Sequence, residues 1–225
     1  MLIIGHRGAM GYAPENTLKS FKKALALGAD GVELDVYLSK DKELIVIHDN
    51  AVSRIAKGKG EIEKLTLAEI KKIQTKSGEK IPSLEEVIDF LADKDIKINI
   101  ELKGVGTVVP VIKLIENKKV ASKIVLSSFF HNQLRIAKKL NPAIKAGLLI
   151  RKPPVEINNF LKLAKIYKTD GFHIRRNFIK KKHLEAAHHN GLYVWVWTAN
   201  SRREIKKFKI WEVDGLITNY PDRAL

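Results

Sequence analysis

The sequence predicts a (β/α)₈ barrel, a TIM barrel with a small insertion after its second strand. Three observations carry that expectation. Short β-branched runs alternate with longer helix-period segments along all 225 residues. Eight such runs can be counted. Acids, bases and histidines recur where those runs end, and barrels of this class build their sites at the C-terminal ends of the strands.

The strands are expected at residues 2–5, 31–36, 96–102, 124–127, 146–150, 171–174, 193–198 and 215–218. Helices are expected at 20–27, 84–91, 108–119, 132–140, 155–167, 180–189 and 201–208. Several carry N-terminal signals: Thr17 before the first, Ser83 with Glu86, and Ser201 with Glu204. The alternation breaks between about residues 44 and 82. An extra strand (44–48), a Gly-punctuated stretch (57–60) and a short amphipathic helix (65–73) are read there as an insertion within one domain spanning 1–225. No Pro/Ser-rich linker or internal repeat interrupts the chain. A doubly wound open sheet is the alternative that periodicity leaves open.

Composition narrows the function classes. Hydrophobic residues make up 45% and charged residues 29%, enough apolar content for a sizeable core. No apolar run is long enough to span a bilayer. The opening Met1-Leu2-Ile3-Ile4-Gly5 leads directly into a motif and leaves no room for a cleavable signal, so a cytoplasmic protein is expected. The absence of cysteine excludes disulfides and thiolate chemistry. A formal charge of +16 raises the question of nucleic acid or an anionic membrane. The lysines are scattered, however, in short runs on helix-like segments with no interleaved aromatics, so solvated helix faces are expected and no nucleic-acid partner.

Residues two apart in a strand point the same way. Glu33 and Asp35 form such a pair near the end of the second strand, and Glu101 with Lys103 at the end of the third. Trp195 and Trp197 form another near the end of the seventh. Val32, Leu34 and Val36 take the opposite face, which in a barrel packs on helices, so the two acids are expected to point into the centre. His6 and Arg7 follow the first strand, and His48 with Asp49 ends the extra one. Three inward carboxylates repel one another unless a cation joins them, and all-oxygen ligation favours Mg²⁺ or Ca²⁺. Arg and Lys are the residue types that hold a phosphate. Two histidines can take a proton from an attacking oxygen and give one to a leaving alcohol. The other histidines, His131, His173, His183, His188 and His189, are read as structural or surface residues.

These residues also resemble a known family. His6-Arg7-Gly8 with Pro14-Glu15-Asn16-Thr17 is similar to the opening motif of glycerophosphodiester phosphodiesterases. Glu33-Leu34-Asp35, His48-Asp49, Glu101-Leu102-Lys103, Ser128-Phe129, Trp197-Thr198-x-Asn200 and Thr218-Asn219-x-Pro221-Asp222 follow in that family's order. The stretch from Gly78 to Glu86 resembles the end of its insertion. The resemblance implies hydrolysis of a small-molecule glycerophosphodiester to glycerol 3-phosphate and an alcohol, with one divalent ion, Mg²⁺ or Ca²⁺. It implies Glu33, Asp35 and Glu101 as metal ligands, His6 and His48 as acid–base catalysts, Arg7 and Lys103 as phosphate binders, and Trp197 as a pocket wall. By similarity to the phosphatidylinositol-specific phospholipases C, a neighbouring substrate hydroxyl would attack phosphorus to give a cyclic phosphate. Val52-Ser53-Arg54-Ile55-Ala56 departs from the family's Leu-(Asp/Glu)-Arg-Thr-Thr-like run.

Two rivals remain open. A lysophospholipase D would use the same catalytic set and needs an apolar surface near the mouth, which the sequence does not reveal. A non-catalytic barrel that binds nucleic acid through its charge has no need of the mouth residues.

Overall fold

A computed structural model describes residues 1–225. The chain runs β1 (Leu2–His6), α1 (Leu18–Ala26), β2 (Gly31–Leu38), β3 (Leu44–Val46), α2 (Leu67–Lys72), α3 (Leu84–Leu91), β4 (Lys97–Leu102), α4 (Val108–Asn117) and β5 (Ile124–Ser128). It continues with α5 (His131–Leu140), β6 (Lys145–Ile150), α6 (Ile157–Tyr167), β7 (Gly171–Arg175), α7 (Lys181–His189), β8 (Tyr193–Trp197), α8 (Arg202–Ile210) and β9 (Gly215–Thr218).

Eight of the strands close into a parallel barrel in the order β1, β2, β4, β5, β6, β7, β8, β9. Closure is made by β1 against both β9 and β2, with Ile4 opposite Ile217 on one side and Gly31 on the other. That pairing excludes the open sheet. Seven outer helices cover the barrel, and a 3₁₀ turn over Pro221–Ala224 follows the last strand in place of an eighth.

The two faces of each strand decide where the site can be. Val32, Leu34 and Val36 of β2 and Ile98, Ile100 and Leu102 of β4 belong to the main core, between barrel and helices. The alternate positions face inward. Low in the barrel they are apolar: Ile4, Val125, Trp195 and Ile217 pack together. Register then stacks the polar ones above. His6 lies opposite Glu33, Glu33 opposite Asn99, and Asp35 opposite Glu101.

Helix starts follow the side-chain signals. Thr17 Oγ1 accepts from the Ser20 N–H at 3.1 Å. At α3, Ser83 Oγ accepts from the Glu86 N–H at 3.2 Å while the Glu86 carboxylate accepts from the Ser83 N–H at 2.7 Å. Thr66 and Glu69 make the same reciprocal cap, which starts α2 at Leu67 rather than at residue 65. The segment after β2 departs from the expected strand as well. Only Leu44–Val46 pairs with β2, antiparallel, and Ile47 adds one bond to the Asp35 carbonyl at 3.0 Å before the chain turns away. Beyond it, Ile45, Ile47, Val52, Ile62, Ile70 and Ile81 form a small core of their own.

His173 sits inside the barrel, fully buried and stacked on Trp195 with centroids 4.7 Å apart. It does not line the cavity at the mouth. Burial pushes its pKa down to about 3, so it folds neutral. An unfolded histidine titrates near 6.5, so the unfolded chain takes the proton first, and this group's contribution is lost as pH falls from about 6.5 towards 3. His173→Gln is therefore expected to reduce the dependence of unfolding free energy on pH by at most about 1.4 kcal/mol per unit. Denaturant unfolding between pH 4 and 6.5 measures it, and an unchanged slope would refute the assignment.

Candidate active site

The mouth of the barrel opens into a cavity of about 610 Å³. Seven of the eight expected residues line it: His6, Arg7, Glu33, His48, Glu101, Lys103 and Trp197. The eighth, Asp35, is only 1% exposed and joins the others through its carboxylate. One ligand oxygen from each of Glu33, Asp35 and Glu101 lies within 4.8 Å of the other two.

The three acids are crowded enough to perturb one another. Burial, then Asp35 and Glu101, raise Glu33 well above the usual carboxylate range. Burial and Asp35 push Glu101 up to about 7. Burial also opposes charge on Asp35, but Lys103 and Arg7 outweigh it and hold this carboxyl below its ordinary value. Asp35 Oδ1 is buried and accepts no hydrogen bond, its nearest cation being the Lys103 ammonium at 3.4 Å. Crowded carboxylates with an unsatisfied buried oxygen fit a hard divalent cation.

The cations close on the acids. Lys103 Nζ lies 3.4 Å from Asp35 Oδ1 and 3.6 Å from Glu101 Oε1, and Arg7 Nε lies 3.4 Å from Asp35 Oδ2. Arg7 has φ +50°, an uncommon conformation for a side-chain-bearing residue, and the turn aims its backbone N–H at Glu33 Oε2, 2.9 Å away.

The motif after the first strand acquires a physical reading here. Glu15 accepts from Arg7 at 2.9 Å. Asn16, left-handed at φ +54° as asparagine tolerates, donates to Asp35 Oδ2 at 2.9 Å. Thr17 caps α1. Arg54, inside the run that departs from the family pattern, bonds both Glu15 and Asp49. A continuous network thus joins His48, Asp49, Arg54, Glu15, Arg7 and Asp35.

Each histidine is oriented through Nδ1. His6 Nδ1–H donates to Asn219 Oδ1 at 2.7 Å, and Asn219 is held by its own N–H to Asn200 Oδ1 at 2.9 Å. This leaves Nε2 facing the acids, 4.0 Å from Glu33. Burial, and then Arg7, lower the His6 pKa to about 4, so its ring is neutral near pH 7. His48 Nδ1–H donates to Asp49 at 2.6 Å. Burial lowers its pKa as well, against the pull of Asp35 and Asp49. The arrangement gathers three carboxylates, two cationic side chains and two imidazole rings around one space. Trp197 walls it, held by Nε1–H to the His173 carbonyl at 2.9 Å and edge-on to Phe129.

Sequence reading missed several lining residues. Arg151 lies two residues after Leu149 and Arg175 two after His173, so strand parity places both with the inward set; that parity was the available signal. It also missed an apolar groove beside the mouth, which shares Phe129 and Phe130 with it. Val105, 91% exposed, and Phe130, 57% exposed, line this groove with Val109 and Ile136. They come from separate loops and helices, so no contiguous apolar run announces them.

Comparison with known proteins gives one family. The glycerophosphoryl diester phosphodiesterase family matches residues 6–223. A glycerophosphodiester phosphodiesterase from Caldanaerobacter subterraneus is 37% identical, covering 100% of this chain and 96% of that one. The crystal structure of a glycerophosphodiester phosphodiesterase from Thermotoga maritima is 32% identical with a TM-score of 0.86, covering 99% and 96% of the two chains. A phosphodiesterase from Oleispira antarctica, solved with its product sn-glycerol-3-phosphate, has a TM-score of 0.92 at 28% identity, covering 100% and 95%. With its barrel closed and its mouth furnished in this way, the chain belongs to the glycerophosphoryl diester phosphodiesterase family and is a glycerophosphodiester phosphodiesterase.

Proposed function

We propose that the enzyme hydrolyses glycerophosphodiesters to sn-glycerol 3-phosphate and an alcohol, with one divalent ion, Mg²⁺ or Ca²⁺, and His6 and His48 as its acid–base pair. The observation that carries this reading is the convergence of Glu33, Asp35 and Glu101 within 4.8 Å, beside both histidines and two cations. Glu33, Asp35 and Glu101 hold the ion, which neutralises charge on the phosphate oxygens when bound. Arg7 and Lys103 give up part of their pairing with Asp35 to bind the diester anion. Neutral His6 takes the proton of the attacking substrate hydroxyl at Nε2. His48 carries a proton to the leaving alcohol, and both Asp49 and the incoming anion favour its charged form. Opening of a cyclic phosphate by water reverses the two roles. Trp197 bounds the space in which the substrate lies.

Replacing Lys103 by methionine should cost about 2–4 kcal/mol of transition-state stabilisation, as other preorganised charge stabilisers do. A normal kcat/KM would make this lysine a structural ion-pair partner only. The reading as a whole is tested on a panel of glycerophosphodiesters and lysolipids with glycerol 3-phosphate measured. Release of glycerol 3-phosphate from the water-soluble diesters is expected, and failure on all of them would overturn it. The groove at Val105 and Phe130 favours a second reading, a lysophospholipase D on one-chain lipids. Higher kcat/KM on lysolipids, lost on Phe130→Ser, would select it.

A further inference from the structure

The cavity has two halves of different chemistry. Counted around the barrel, β6 stands opposite β1 and β7 opposite β2. The metal-site acids rise from β2 and β4. Arg175, the last residue of β7, faces the β2 acids across the mouth, and Arg151, directly after the neighbouring β6, lines the cavity beside it. The only carboxylates lining the cavity are Glu33 and Glu101, both on the acid side.

Every other cation at the mouth has an acidic partner. Arg7 pairs with Asp35 and Glu15, and Lys103 with Asp35 and Glu101. Arg176 pairs with Glu204 at 2.7 Å and bonds the Thr198 carbonyl. Arg151 and Arg175 have neither a carboxylate within ion-pairing distance nor a side-chain hydrogen bond. Their guanidinium groups instead lie near aromatic rings, Arg151 at 5.1 Å from the Phe129 centroid and Arg175 at 5.9 Å from that of Phe178. Such contacts position a guanidinium while leaving its N–H donors free. Unpaired cations are common on a chain with 41 basic and 25 acidic residues. Two side by side in the lining of one cavity, Arg175 at an inward position of β7 and Arg151 one residue past the end of β6, are a different matter.

We propose that Arg151 and Arg175 form a second anion subsite, which selects diesters whose alcohol half carries its own phosphate or carboxylate. This rests on the proposed hydrolysis and adds its substrate class. The scissile phosphate is bound on the acid side by Arg7 and Lys103. The rest of the substrate extends across the cavity towards the arginine wall, where a second anion meets two guanidinium groups and no opposing carboxylate. A quaternary ammonium there meets like charge.

The test uses four diesters of glycerol 3-phosphate of similar size. Their alcohols are glycerol phosphate, glycerate, glycerol and choline. In the wild type, kcat/KM for the phosphate- and carboxylate-bearing diesters should exceed that for the neutral one by roughly tenfold or more, with choline lowest. In the Arg151→Gln/Arg175→Gln double variant the anionic-to-neutral ratio should collapse to within about threefold of unity. A phosphate preference without a carboxylate preference would identify the phosphate ester as the source of the anion. A control variant, Lys206→Gln/Lys209→Gln, lowers net charge equally on exposed positions of α8 and should keep the ratio. An equal loss of preference in the control, or a wild type that favours choline, would overturn the subsite. Should no diester turn over, the hydrolysis proposal fails separately. The subsite is then read by calorimetric binding of the same compounds, where equal affinities overturn it.

Discussion

His48→Ala is expected to lower cleavage of glycerophosphoethanolamine by about 10²–10⁴-fold, yet to be largely forgiven on a nitrophenyl ester of glycerol phosphate. An alkoxide leaves poorly and depends on a proton arriving in the transition state. Nitrophenolate is a far weaker base and does not. His6→Ala should be poor on both substrates, because the attacking hydroxyl must lose its proton whichever group departs. The neutral state of His6 suits it to accept that proton. Its pKa lies near 4, and Asn219 occupies Nδ1 so that Nε2 is free. Release of the first product must be followed, since opening a cyclic intermediate exchanges the roles. Rescue of His6→Ala rather than His48→Ala by the better leaving group would reverse the assignment. Rescue of neither would mean that both rings position the phosphate and do not move protons.

The second large effect concerns the acids. Glu101→Gln is expected to raise the metal concentration for half-maximal activity at least about tenfold, while the metal-free protein becomes no less stable. The sign follows from the raised pKa. Glu101 titrates near 7 in the folded protein and near 4.5 when unfolded, so the unfolded chain loses its proton first. The folded state is progressively disfavoured as pH rises from about 4.5 to 7, and above that the full cost remains, on the order of 1–3 kcal/mol. Removing the charge relieves it. At pH 8 the stripped variant should therefore match or exceed the stripped wild type in denaturant unfolding, and markedly lower stability would make Glu101 a structural residue.

Why the acid side was legible and the arginine side was not is a matter of pattern. Glu33 and Asp35 stand between Val32, Leu34 and Val36, so period-two alternation alone turns them inward, and Glu101 on β4, with Lys103 one residue past its end, follows the same rule. The eight barrel strands could be read because each is a short apolar run, in most cases β-branched, between turns, and the structure moves their ends by at most two positions. Arg151 and Arg175 obey the same parity, but each sits one step past or at the very end of its run, where a lone arginine in a lysine-rich chain carries no signal of its own. Arg54 was hidden differently. Its partners Asp49 and Glu15 are 5 and 39 residues away, and only folding of the insertion brings all three together. Two of the lysine runs carry surface ion pairs: Lys71 of α2 pairs with Glu86, and Lys118, just past α4, with Glu85 and Asp89.

Above all, the three carboxylates at the barrel mouth should work only with a divalent cation. Protein stripped of metal and held in a strong chelator should release no glycerol 3-phosphate from glycerophosphoethanolamine. Adding back Mg²⁺ or Ca²⁺ should restore turnover better than Zn²⁺, which prefers nitrogen and sulfur ligands that this cluster does not offer. Full turnover in the chelator would contradict the metal-dependent mechanism directly.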